Sequence, residues 1–423
     1  MHMNDVETSS LDGTVVHVSN VKWGLLFGLI GPINLLMSLD RQAMTLAAPR
    51  LQHLFGLSFV QMSMVVSCAV WAYALLQIPA GALVNHFGPR KILFLACFLW
   101  SIATLLTPMG AGLYSFMAIR LLMGAAQAPD WSASIVSINN WFLSKERSKA
   151  NSILLGFLYL GTVVGAPLTT ILTAHFSWKI SFYIYGPAGL IISFLWLTLF
   201  RDVPHDRGTP SPAAEYKPRP QGVFRTLLKS GQFWAVGLHY LCVLTMQSFF
   251  LVVMPFYLMS GRHMSYVSMG WLYALPWFAM YISVFASGFV ADLIRKKTQS
   301  VWMACTPMGI IGTLMTGLLL GVGCQVENTT LMIVFFCGSL GFMGLSQVSI
   351  WASVQELTKE HTGLVAGWTT CLGNTASGLA PIAMAYIEHV TGSWSLAVCL
   401  PVLAGLIGVF CCAFTHPERT IKV

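Results

Sequence analysis

Apolar runs of about twenty residues alternate with short polar punctuation along almost the whole chain. A helix rising 1.5 Å per residue needs roughly 20 apolar residues to cross a hydrocarbon core. Twelve such runs can be laid out, at approximately 21 to 40, 59 to 84, 90 to 109, 112 to 141, 150 to 173, 180 to 200, 232 to 258, 267 to 290, 300 to 322, 329 to 353, 363 to 388 and 394 to 414. Residues 1 to 20 are polar and lack the apolar centre of a cleavable leader. Residues 201 to 231, RDVPHDRGTPSPAAEYKPRPQGVFRTLLKSG, form the longest polar segment and read as a linker. The expected organisation is a tail (1–20), a six-helix half (21–200), the linker (201–231), a second six-helix half (232–414) and a tail (415–423).

The halves echo each other. After the second helix comes GALVNHFGPRK, with Gly81, Asn85, Arg90 and Lys91; after the eighth comes GFVADLIRKK, with Gly288, Asp292, Arg295, Lys296 and Lys297. Gly165-Ala166-Pro167 in the fifth helix is mirrored by Gly378-Leu379-Ala380-Pro381 in the eleventh. Internal duplication is expected where a site at a repeat interface rocks between two access states.

Composition agrees with a polytopic membrane protein: 56% of residues are hydrophobic and 9% charged, against about 25% charged in soluble domains. Cytoplasmic loops carry the excess of Lys and Arg. With both termini cytoplasmic, eighteen of the 23 basic residues fall on that side and three, Arg50, Lys179 and Arg262, on the other; Arg41 and Arg120 lie within helices. Topology therefore accounts for the net charge of +8, and no nucleic-acid partner is expected. The ten cysteines lie in apolar helices without a CxxC pair, so neither disulfides nor a zinc site are expected. The sequon Asn328-Thr329-Thr330 lies in a very short loop and is taken as incidental. His239 has no second His or acid at ligand spacing, the methionines read as packing residues, and no metal or other cofactor is expected.

Four charges sit inside helices: Asp40 and Arg41 in the first, Arg120 and Asp130 in the fourth. Each costs about 2.5–3.5 kcal/mol at mid-membrane on insertion scales, so they need a reason. Asp40 lies nine residues before Pro49, and Arg120 eight after Gly112. Both then sit roughly 12 Å below the same boundary and can meet. Arg120 and Gln127 are seven apart and share a face; Asp130 is turned about 60° from Gln127, and Pro129 invites a kink beside it. On the first helix, Asn34, Ser38 and Arg41 form a polar stripe. One reading is a structural ion pair between the helices; the other is a proton and substrate site, and the two are compatible. While ionised, Asp40 competes with any anion for the arginines; protonated, it leaves a cation that attracts a carboxylate.

The twelve helices, the central linker and the two Gly-x-x-x-(Asp/Asn) basic loops resemble the major facilitator superfamily, and imply its all-α fold of two pseudo-symmetric halves. The stretches SLDRQAMTLAAPRLQHLFGLS, YALLQIPAGALVNHFGPRK, RLLMGAAQAP and WFLSKERSKA resemble its anion:cation symporters, a group with bacterial hexuronate, galactonate and glucarate transporters and animal sialic-acid and vesicular glutamate carriers. The resemblance implies proton-coupled symport of a small organic anion, with Asp40 as proton carrier and Arg120 linking it to substrate. It also implies gating roles for Gly81, Asn85, Arg90, Gly288, Asp292 and Lys296. The chain departs from the pattern at Gln127, where many members carry Glu, and at Asn85 and His86, where Asp and Arg are usual. Asp130 either supplies the missing acid or bonds backbone freed by Pro129.

The second half offers polar and aromatic candidates instead of charges: His239, Tyr240 and Gln247, then Tyr273, Trp277 and Tyr281 at four-residue spacing, then Gln347, Trp351, Asn374 and Ser377. The aromatic stripe either packs or walls the substrate. Asn374 matches a frequent Asn of the resembled group and is the first choice. No HExxH, GxSxG or GxxxxGK[ST] sequence is present, so an enzyme is not expected. The expectation is a transporter, acting as a monomer in a bacterial inner membrane. The alternatives are a carrier of a neutral or zwitterionic metabolite and a transport-dead receptor of the same fold.

Overall fold

The computed structural model describes residues 21–142, 144–202, 223–357 and 362–418. Residues 1–20, the middle of the linker (203–222) and the last five residues, on which parts of the expected organisation fall, lie outside the described residues. Twelve helical elements succeed one another: α1 (Val21–Phe55), α2 (Phe59–Phe87), α3 (Pro89–Met109), α4 (Leu113–Gln127 and Asp130–Trp141), α5 (Ser144–His175) and α6 (Ile180–Leu199). A short helix, Val223–Leu228, precedes α7 (Gly231–Gly261), α8 (Tyr266–Thr298), α9 (Val301–Gln325), α10 (Thr329–Leu357), α11 (Thr362–Thr391) and α12 (Trp394–Phe414). No strand occurs among the described residues.

Ten of the twelve are long and apolar enough to span a membrane by length and composition alone. The exceptions have physical causes. Pro129 cannot donate a backbone hydrogen bond, and α4 breaks there into segments of 15 and 12 residues. Helix α11 is long but dilutes its apolar residues with Thr, Gly, Asn and Ser. Large apolar side chains on the outside, such as Leu75, Phe289 and Phe410, face where lipid would be.

Element ends follow local chemistry. Ser58 starts α2 with a capping box, accepting from Gln61 N–H at 3.1 Å while its own N–H donates to Gln61 Oε1 at 2.8 Å. Ser265, Ser300 and Ser393 cap α8, α9 and α12 in the same sense. Helix α1 runs on through Pro49 to Phe55, well beyond the expected boundary, and stops at Gly56, whose φ of +63° suits glycine.

Packing repeats the duplication. In the first half α1 packs on α5, α2 on α4 and α3 on α6; in the second half α7 packs on α11, α8 on α10 and α9 on α12. Each pair is its counterpart displaced by six helices. The halves meet through α2 against α11 and α5 against α8, which are exchanged by the same displacement. The end of the molecule bearing Lys22, Arg90 and Arg295 is called the basic face here, and the end bearing Arg50 and Arg262 the opposite face.

On the basic face the polar ties stay within a half. Lys22 pairs with Glu146 at 2.7 Å and Arg295 with Glu356 at 3.1 Å. Arg90 donates its backbone N–H to Asp202 Oδ1 at 2.8 Å and its side chain to the Leu197 carbonyl at 2.6 Å. Gly88, at φ +83°, brings the chain so close to Asp202 that a Cβ would collide with the carboxylate.

On the opposite face the ties cross between halves. Tyr266 donates to the Leu46 carbonyl at 3.0 Å, and the Arg50 guanidinium lies 4.0 Å from the centre of the Tyr266 ring. Deeper in, Tyr273 donates to Gln42 Oε1 at 2.8 Å. Phe59 packs against Phe256 and Trp394, with ring centres 4.5 and 5.5 Å apart. The halves are therefore latched together on the opposite face, and the seam between them is free of such latches among the described residues on the basic face.

Candidate functional site

Adjacent residues on α1 point about 100° apart, so Asp40 and Arg41 serve different surroundings. Arg41 is half-buried and turns to the seam. Its Nε donates to Gln127 Oε1 at 2.7 Å, and its guanidinium lies 4.6 Å from the centre of the Tyr73 ring on α2. Asp130, fully buried at the start of the second α4 segment, is within electrostatic reach of Arg41.

Asp40 is fully buried and turns away, towards α3 and α4, where Arg120 and Thr104 are its polar neighbours. Arg120 is 2% exposed. Its Nη2 donates to Thr107 Oγ1 at 3.2 Å, its Nη1 to Met123 Sδ at 2.9 Å, and its Nε has no partner among the described residues. The carboxylate oxygens of Asp40 and Asp130 are also without hydrogen-bond partners among the described residues. Cys97 of α3 lies within electrostatic reach of both acids.

The four charges thus sort into two acid–arginine couples, Arg41 with Asp130 at the seam and Arg120 with Asp40 behind it. Neither couple closes into a contact ion pair among the described residues. Four unclosed charges in apolar surroundings are expensive, and buried polar groups ordinarily find partners. Such an arrangement can take up a proton on either acid and present a guanidinium to an anion.

The remaining expected residues are dispersed. Asn34 donates to the Ile30 carbonyl at 3.1 Å and to Ser134 Oγ at 3.0 Å, which turns it into α4, while Ser38 meets Thr162 of α5 at 2.8 Å. Neither is hydrogen-bonded to the Arg41 side chain among the described residues. Tyr273 sits in the opposite-face latch, also reaching the Leu251 carbonyl at 3.3 Å. Trp277 is buried beside it with an unpartnered Nε1, whereas Tyr281 stacks with Phe278 and packs on Phe285 near Gly156 of α5. Gln347 and Ser377 are buried and Asn374 half-buried. Of the loop residues, Gly81 packs on Ser132, Arg90 is tied to α6 and Asp202, and Asp292 and Lys296 are exposed at the basic end of α8. Gly288 has open space about it, and the Asn85 side chain lies outside what is described.

Periodicity does not single out Tyr73, Gln42 or Tyr266, because each lies in an apolar run where an aromatic or amide side chain ordinarily packs. The available signal is pairing across helices: a tyrosine facing an arginine from another helix, or a phenol facing an amide. No such pairing is visible in one dimension.

Twelve helices in two pseudo-symmetric halves, with one acid–arginine couple at the seam and a second behind it, define a multi-pass membrane transporter rather than an enzyme. The chain belongs to the Major Facilitator Superfamily, whose sequence model matches residues 30–381. It is 28% identical over 387 residues to the hexuronate transporter of Bacillus subtilis (strain 168), covering 90% of each chain. It is 29% identical over 398 residues to the probable galactarate/D-glucarate transporter GudP of Escherichia coli (strain K12), covering 88% of each. The fold matches the crystal structure of a bacterial homologue of the human lysosomal transporter Spinster, with a TM-score of 0.77 at 14% identity over 93% of this chain and 98% of that one.

Proposed function

We propose that the protein is a proton-coupled symporter of a small organic anion of the sugar-acid class, working by alternating access as a monomer in a bacterial inner membrane. The observation that carries this reading is Arg41: a half-buried guanidinium at the seam, steadied by Gln127 and Tyr73, with an unpaired buried acid in reach. The names of the sugar-acid relatives support the substrate class. The excess of Lys and Arg on the basic face supports a cytoplasmic position for that face and for both termini. With the opposite face latched, the described state is then inward-facing.

Coupling follows from competition. An ionised Asp130 holds Arg41 against an incoming carboxylate, and protonation releases the guanidinium to it. Asp40 and Arg120 repeat the arrangement one layer deeper and make substrate occupancy felt at the α1–α3–α4 contact. Arg120 acts here by positioning. Gln347 and Asn374 of the second half complete the surroundings of the site, Asn34 and Tyr273 being committed to Ser134 and Gln42, and Gly81, Asn85, Arg90, Gly288, Asp292 and Lys296 form the mouth on the basic face.

The test is accumulation of D-galacturonate or D-glucuronate by proteoliposomes under an imposed pH gradient. Wild type should concentrate a sugar acid. Asp40→Asn should retain exchange of internal for external substrate while accumulating less of it under the gradient than wild type. Sugar-acid uptake indifferent to the gradient in wild type would sink proton coupling; uptake of neutral or zwitterionic solutes alone would sink the substrate class.

A further inference from the structure

We infer that the site selects monocarboxylates with a neutral, hydroxylated body and rejects dicarboxylates. This rests on the sugar-acid reading above and narrows it, since the relatives' names include both a hexuronate and the diacids galactarate and D-glucarate.

In the middle turns of the twelve helices only Arg41 and Arg120 carry positive charge. Arg120 is committed to Thr107 and Met123 and is 2% exposed, so it is out of reach of a molecule in the seam. Arg41 is half-buried and therefore the single accessible anchor for a carboxylate. The second half contributes none: Arg262, Arg295, Lys296 and Lys297 lie at helix ends. Its buried His239 is engaged with Thr313 at 2.8 Å, which in turn meets Ser346 at 3.0 Å.

The chemistry across the seam from Arg41 is neutral and rich in hydroxyls. Tyr73, beneath the guanidinium, lies near Tyr240 of α7, as does Tyr159 of α5. Tyr240 meets Trp351 of α10 edge-on, with ring centres 5.6 Å apart. Helix α11 presses its Gly373 against the Tyr240 ring, and half-buried Asn374 follows it on that helix, turned by about 100°. Gln347 lies one turn from Trp351 on α10. The hydroxyls of Tyr159 and Tyr240 and the amides of Gln347 and Asn374 make no hydrogen bond with another described residue.

Unused phenols and amides can both donate to and accept from sugar hydroxyls, and the ring faces can cover C–H surfaces. They cannot neutralise a second carboxylate. A molecule whose first carboxylate sits on Arg41 would place its other end among the Tyr and Trp rings, where an ionised group loses hydration without gaining a cation. A uronate or aldonate leaves only hydroxyls and carbon there. Single-anchor recognition thus discriminates by charge at the far end while tolerating variation among hydroxyl stereoisomers.

The experiment is isothermal titration of the full chain, purified in detergent, with D-galacturonate, D-glucuronate, galactarate and D-glucarate at one pH and ionic strength. Each uronate should bind at least tenfold more tightly than its matched diacid. A diacid that binds as tightly as its uronate overturns the inference while leaving the sugar-acid reading standing. A panel in which neither class binds removes that reading and the inference with it. As a second arm, Asn374→Lys supplies the missing cation in the second half and should bring galactarate to within a few-fold of galacturonate. If that variant keeps its melting temperature but binds galactarate no more tightly than wild type does, the inference is overturned.

Discussion

Arg120 keeps two of its nitrogens on Thr107 and Met123 and leaves the third without a partner, with Asp40 as its buried acidic neighbour. That geometry needs a planar fork: one edge engages α3 and its own helix while the other remains directed by Asp40. A lysine carries the same charge as a single point on a flexible stem and cannot hold both. Arg120→Lys should therefore lose most transport, by more than tenfold in rate, while the protein still reaches the membrane and melts cooperatively. Unchanged rate and apparent affinity would reduce Arg120 to a packing residue. The presence of a buried charge at position 120 is legible in sequence, because an arginine in an apolar run has few explanations. Its direction is not. Seven-residue spacing places Arg120 and Gln127 on one face, yet their long side chains part: Gln127 goes to Arg41 at the seam and Arg120 to Thr107 behind it. Spacing fixes where a side chain starts, whereas the partners available to its tip decide where it ends.

Helix α4 shows the same limit one level up. Pro129 is readable as an interruption, and the break between Gln127 and Asp130 follows from its missing N–H. The consequence for Asp130 is set by tertiary contacts: it becomes the first residue of a new segment, buried, with no partner for either oxygen and Arg41 within reach. A carboxylate capping freed backbone would show such a bond, and here the oxygens make none. We propose that Asp130 titrates in place of the ionisable group that Gln127 cannot provide. Asp130→Asn should lower the proton-to-substrate ratio by one, measured from reversal potentials in proteoliposomes. An unchanged ratio accompanied by lower thermal stability would return Asp130 to a structural role. Helix α7 carries a comparable element-scale feature that its apolar sequence hides. The Leu251 carbonyl, which accepts from Tyr273, lies within the wide turn at Phe249–Val253.

At the scale of the whole molecule, duplication is the part of the architecture most open to sequence, since matched loops after α2 and α8 already imply equivalent halves. The packing pattern displaced by six helices realises it. The state in which the halves rest is not written in either half, because it depends on which cross-half contacts are made. On the opposite face the polar ones are few and specific: Tyr266 to the Leu46 carbonyl, Tyr273 to Gln42, and Arg50 over the Tyr266 ring. A net hydrogen bond contributes about 0.5–1.5 kcal/mol, so removing two shifts a two-state balance by roughly five- to over a hundred-fold towards the alternative state. The double variant Tyr266→Phe/Tyr273→Phe retains the rings and loses only the hydroxyls. Hydrogen–deuterium exchange should then rise in residues 44–55 of α1 and in the first turns of α8. It should fall at the basic-face ends of α2, α5, α8 and α11 as they close. Faster exchange on the opposite face without protection on the basic face would mean local fraying, and the two faces would not be coupled by a rigid rocking of the halves.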